Sequence, residues 1–324
     1  MVSFKNFTKK INAMKKIKYS LLLVCSITLV GCFGSDTTSS SSVDRMIDNP
    51  TPNEIKVIID GNELNIPAKS SVNYTFEYGK HTLSYGNQSL NFIAKPSTTN
   101  SSGLINPTQS NYYLLTTFYT TSNVSDETYD KLIAKYLNSV PVIIKGEQQE
   151  LELPVKVIND VFIERQKDFW DYSVDEPYPD EVTLRGKGQF QSRKIKLFRE
   201  DGFIEALKAE GLNEKVDFIN EHPKFSELKK YTIPNIQLDA IACKKGREFV
   251  ETQLNDWNKL FTLTGKDLAL LYKQLTSSET FHTKHAIIKE CTKAEDSNQS
   301  YQFATRELDG AFDETKQLNF FITQ

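Results

Sequence analysis

The chain lacks the short motifs that announce common chemistries. It has no Gly-x-Ser-x-Gly elbow, no Gly-rich phosphate loop, no His-Glu-x-x-His and no paired Cys-x-x-Cys, so the familiar hydrolase, nucleotide and zinc signatures are missing. Gly186-Lys187-Gly188 is a lone turn, and Ser226-Glu227-Leu228-Lys229 meets Ser-x-x-Lys without its Ser-Asp-Asn and Lys-Thr-Gly companions. No internal repeat is visible. The most apolar stretch, Leu21 to Val30, is ten residues long, too short to span a bilayer. Cysteine is scarce, with four in 324 residues. No cofactor and no metal site is expected.

What is present begins at the leader. Lys5, Lys9, Lys10, Lys15, Lys16 and Lys18 precede the apolar run without one acid, and the run ends in Leu29-Val30-Gly31-Cys32. Basic segment, short apolar core, small residue and cysteine in this order resemble a signal peptide with the bacterial lipobox. The resemblance implies cleavage after residue 31 and acyl chains on the sulfur and new amino terminus of Cys32, several of which anchor a protein lastingly where one does not. Phe33 stands where an inner-membrane retention signal has Asp, which implies the outer membrane. Met14, followed by Lys15-Lys16, is an alternative start.

Removing residues 1–31 takes six lysines and no acids, leaving 33 basic and 42 acidic residues and a net charge of −9. An acidic body argues against phosphate-driven binding of nucleic acid and against electrostatic attachment to anionic lipid. Membrane association is expected through the lipid. Cys25 falls in the leader and Cys32 at the acylation position, so Cys243 and Cys291 remain to pair in an oxidising compartment. The alternatives are unpaired cysteines, or a reactive thiol or metal site formed with His282 and His285.

Residues 32–53 are rich in Ser, Thr, Asp and Asn and read as a flexible tether. Residues 54–94 alternate short apolar runs with Asp60-Gly61-Asn62, Gly79-Lys80 and Gly86-Asn87, the pattern of a small β-sandwich module. Val57-Ile58-Ile59-Asp60-Gly61 and Tyr78-Gly79-Lys80-His81-Thr82-Leu83 resemble the PEGA-type β-module of envelope proteins, which implies scaffolding or adhesion. Ile66-Pro67-Ala68-Lys69-Ser70 replaces the Gly-Thr-Pro stretch usual between those motifs. Residues 95–109 read as a linker.

Residues 110–200 read as a mixed α/β domain. Strands are expected at Tyr112 to Tyr119, Val140 to Ile144, Glu150 to Leu153, Val155 to Glu164, Glu181 to Leu184 and Ser192 to Phe198, with a helix opened by Ser125-Asp126-Glu127. Residues 201–324 read as mainly helical. Val250, Leu254, Trp257 and Phe261 share one helical face, Thr264 with Asp267 forms a capping pair, and Ser300 to Glu307 with Lys316 to Thr323 makes a terminal β-hairpin. The expected fold class is α+β.

The densest acidic cluster, Asp175, Glu176, Asp180 and Glu181, follows Trp170 and Tyr172. Two such carboxylates hydrolyse a glycosidic bond when they face each other across it, whereas Pro177 and Pro179 favour an extended surface loop. The cluster also lacks the ligand spacing of an EF-hand. His282 and His285 lie three apart, short of a zinc set; His81 reads as a turn residue and His222 as a loop residue. The leading expectation is a non-enzymatic, lipid-anchored envelope protein that binds another envelope protein or a surface glycan. The alternatives are an envelope glycan or peptide hydrolase and an immunity or exclusion lipoprotein.

Overall fold

Two segments of the chain leave one folded unit to build another. A computed structural model describes residues 40–99, 102–121, 124–183, 191–212, 214–291 and 295–323. Its first strands are β1 (Ser42–Asn49), β2 (Ile55–Ile59), β3 (Asn62–Ile66), β4 (Ser70–Glu77), β5 (Gly79–Tyr85), β6 (Gln88–Ala94), β7 (Gly103–Ile105) and β8 (Tyr112–Thr120). Helix α1 (Asp126–Ile133) leads to β9 (Asn138–Ile144), β10 (Glu147–Leu153), β11 (Val155–Ile158), β12 (Phe162–Glu164) and β13 (Gln191–Arg199). There follow α2 (Glu200–Ala209), β14 (Val216–Phe218), α3 (Lys244–Leu260), α4 (Gly265–Leu275), α5 (Ser278–Glu290), α6 (Ser300–Lys316) and β15 (Phe320–Thr323).

The terminal unit comprises residues 40–108, Val161–Asp168 and Pro223 onward. Its two sheets, ordered β12-β7-β1-β4 and β15-β6-β5-β2-β3, share one core of Ile47, Val57, Ile59, Phe76, Leu83, Phe92, Ile105 and Phe320. Strand alternation explains why β6 and β15 are apolar on both sides. Leu90, Phe92 and Phe320 face the sandwich core, while their neighbours Ile93 and Phe321 meet Leu260, Leu268, Tyr272 and Leu275 of α3 and α4. The Asp60-Gly61 turn closes β2 on β3 with both residues at positive φ, the conformation that two-residue hairpins favour.

The inserted unit comprises Gln109–Asp160 and Phe169–His222. Sheets ordered β10-β9-β14 and β11-β8-β13 enclose Val142, Ile144, Leu153 and Val155 with Phe203 of α2. Tyr113 stacks on Phe203 with ring centroids 4.5 Å apart. Ser125 caps α1 by accepting from the Thr128 N–H, and Tyr129 and Ile133 bury against Phe118.

The architecture is α+β, with strands through the N-terminal half and helices toward the C-terminus. Five expectations fail against it. Residues 42–49, read as tether, are β1, paired with β4 and β7, because Arg45 carries its charge into the interior and finds a partner there. The 95–109 linker contains β7 and the buried Lys95. β8 and β9, the strands on either side of the helix read in a mixed α/β domain, do not join in one sheet but belong to different antiparallel sheets. Ser300–Glu307 is helical, because Tyr301, Ala304, Thr305 and Leu308 bury at helical spacing, and β15 pairs with β6 in place of a hairpin partner. Residues 181–183 form no strand. Two smaller points differ as well: Thr264 offers α4 no side-chain cap, its methyl lying beside Gly79, and Gly79-Lys80 opens β5.

Candidate functional site

Helices α3, α5 and α6 of the terminal unit line a cavity of about 450 Å³. Helical spacing brings its walls together. Phe249, Gln253 and Trp257 lie four apart on α3; Phe281 and Lys284 come from α5, three apart; and Leu308, Asp309, Phe312, Asp313 and Lys316 come from one side of α6, at spacings of one, three and four. Leu275, Thr276, Ser277 and Thr98 complete the rim. Trp257 meets Phe312 edge-on at 4.6 Å, joining α3 to α6 beneath the groove.

The α5 wall is held unusually. No residue of α5 is fully buried, and Phe281 is 53% exposed. Its partly buried Ile287 and Ile288 pack against the cluster of Ile241, Val250 and Tyr301, and ties at defined points add to that contact. Cys243, just before α3, is disulfide-bonded to Cys291, just after α5, with Cα atoms 5.6 Å apart. Lys245 pairs with Glu290 at 2.6 Å beside that bond, and Lys284 of α5 pairs with Asp309 of α6 at 2.6 Å. The Tyr301 hydroxyl donates to the Lys284 carbonyl. Gly246 permits the close approach of α3 to α6, since a Cβ there would fall 2.6 Å from the Tyr301 ring.

Charges in the groove are already matched. Besides Lys284 with Asp309, Lys316 pairs with Asp313 at 2.5 Å. The half-buried Gln253 amide is the uncharged polar group on the α3 wall. A second cavity of about 360 Å³ is lined by Lys80, Ile93, Tyr231, Asn258, Phe261 and Thr323.

The acidic cluster does not converge. Asp175, Glu176, Asp180 and Glu181 are all exposed and line neither cavity. Asp175 pairs with Arg199 at 2.7 Å, and Glu176 accepts the Ser173 N–H of its own turn. The loop folds around a cation. Buried Lys196 donates to the carbonyls of Ser173, Val174 and Glu176, and burial pushes its ammonium down to about 8 against the pull of Glu176 and Asp175. The facing pair of carboxylates that glycoside hydrolysis needs is therefore not made by these four residues.

The remaining sequence candidates are accounted for singly. His282 and His285 are exposed on α5, and among the described residues no group of three or more His, Cys, Asp or Glu is placed to hold a metal. His81 lies in β5, not in a turn, stacked on Phe92, with Nδ1 2.6 Å from Asp60 and Nε2 2.7 Å from the Glu77 carbonyl. His222 is exposed in a loop. Ser226 is exposed too, and Lys229 is held as an ammonium by Glu314 at 2.7 Å, its pKa raised. Cys32 and Gly186-Lys187-Gly188 lie outside the described residues. Among the described residues no helix is long and apolar enough to cross a membrane.

Sequence reasoning placed Trp257 on a core-facing stripe and missed the groove. The available signal was a second stripe on α3, Phe249-Gln253-Trp257, flanking the apolar one. Comparison with protein-family models, with curated proteins and with solved structures found no match for the chain.

Proposed function

We propose that this chain is a lipid-anchored protein of the bacterial cell envelope, held at the outer membrane through Cys32, and that it works as a non-enzymatic binding or scaffolding module. The groove between α3, α5 and α6 is its binding face. The observation that carries this reading is the α5 wall, a helix with no fully buried residue, held by the partial packing of Ile287 and Ile288 together with a disulfide and two ion pairs, and leaving Phe281 exposed. A surface so tied, with an exposed phenylalanine beside it, suits a ligand that completes the packing.

Two further features support the address. The leader ends in Leu29-Val30-Gly31-Cys32, and an intrachain disulfide belongs to an oxidising compartment such as the periplasm or cell surface. The partner is another envelope protein or a surface glycan.

Crosslinking in intact envelopes, with wild type and Cys32→Ser compared, tests this reading. A specific partner recovered with the wild type and lost with Cys32→Ser is expected. Equal recovery from both, or normal membrane retention of Cys32→Ser, overturns the tethered module.

A further inference from the structure

We propose that the groove takes an uncharged saccharide, recognised through hydroxyl groups set between paired charges and against aromatic rings. The inference rests on reading the groove as the binding face and goes further by naming the ligand class.

Charge comes first. Both ion pairs at the groove, Lys284–Asp309 and Lys316–Asp313, are closed internally. A charged ligand entering there meets charges that already balance one another and finds no net opposite charge to favour it over a neutral one. Hydrogen-bonding pattern comes second. Each pair sets a carboxylate acceptor beside an ammonium donor, and Asp309 and Asp313, both on the cavity lining, remain half or more exposed. A sugar hydroxyl donates and accepts at once, so one hydroxyl satisfies both members of a pair. The Gln253 amide adds a donor and an acceptor on the opposite, α3 wall.

Apolar surface comes third. Phe249, Trp257, Phe281 and Phe312 surround the same space, giving the C–H faces of a pyranose rings to lie against. The volume, about 450 Å³, is that of a pocket for one to three sugar rings and falls within the usual range for small-molecule sites.

The test uses the full chain in detergent, disulfide intact, with maltotriose and chitotriose as neutral probes, trigalacturonate as the charged one and an Ala-Phe-Ala peptide as the apolar one. Trp257 is the groove's own tryptophan and Trp170 lies in the inserted unit, so the two indole N–H signals in NMR give a reporter and an internal control. A saturable shift of the Trp257 signal with a neutral trisaccharide is expected, with no such shift from trigalacturonate. Gln253→Ala and Phe281→Ala weaken it about tenfold or more without lowering the unfolding temperature, since neither side chain is buried in a core. The proposal is overturned by no response to either neutral trisaccharide up to about 10 mM, by equal binding to both variants, or by a response to the peptide alone. None of these outcomes touches the Cys32→Ser comparison, so the two readings fail separately.

Discussion

The guanidinium of Arg45 and the carboxylate of Glu164, 119 residues apart in sequence, form a buried ion pair at 3.2 Å. The Glu164 carboxylate also accepts the N–H groups of Asn319 and Phe320, and Arg45 donates to the Asn319 side chain at 2.5 Å. One pair thereby ties β1, β12 and the entry to β15. Removing either partner takes the paired opposite charge from a buried group, so Glu164→Gln and Arg45→Met are each expected to cost about 3–5 kcal/mol in chemical denaturation. The double variant should lose less than the two losses added. Strict additivity would show that the pair does not act as a unit.

Lys95 gives a pH-dependent prediction. Its ammonium is fully buried, donating to the carbonyls of Pro96, Thr315 and Leu318 and lying 4.3 Å over the Tyr272 ring. Burial pushes its pKa down from 10.5 to about 7, with Glu164 opposing. An unfolded chain holds this proton up to about 10.5 and the folded chain only to about 7, so unfolding takes up a proton between those values. Stability from this group rises with pH across that window, by up to about 1.4 kcal/mol per pH unit. Denaturation of wild type and Lys95→Met from pH 7 to 9.5 should show wild type gaining stability relative to the variant as pH rises; parallel curves contradict the assignment.

The disulfide should matter locally. With Cys243 and Cys291 both replaced by Ser, a closure of 48 residues is lost, worth about 4 kcal/mol in the chain-entropy model. Because α5 has no buried residue, its amides should lose hydrogen-exchange protection well before those of β5 and β6. Uniform loss of protection would show that α5 is not held by this bond.

Gly246→Ala should be destabilising although alanine favours helices. Its Cβ falls 2.6 Å from the Tyr301 ring, so α3 and α6 must separate, with a cost of about 1–3 kcal/mol from overpacking. A variant as stable as wild type would show that the ring moves freely.

Local chemistry was readable in the sequence wherever its partner was local. Asp60-Gly61 announced its hairpin and Ser125 its cap, since both signals close within four residues. β1 was not readable. Ser42-Val43-Asp44-Arg45 resembles a polar linker until Glu164 is brought to Arg45, and only the fold does that. The alternation Tyr301, Phe303, Thr305 imitates a strand, but Phe303 is exposed and the helical set Tyr301, Ala304, Leu308 buries instead. The pairing of Cys243 with Cys291 is the leading expectation once Cys25 and Cys32 are assigned to the leader and the acylation position, with unpaired cysteines and a thiol or metal site as alternatives. The groove drew its walls from residues 98 to 316, so no single segment carried a signature for it.

The most direct test of the tethered module is the intact mass and amino terminus of the protein recovered from the envelope of a lipoprotein-processing bacterium. The account predicts a chain that begins at Cys32, carries acyl groups and partitions with the outer membrane. A chain that keeps residues 1–31, or one that begins elsewhere without lipid, contradicts it.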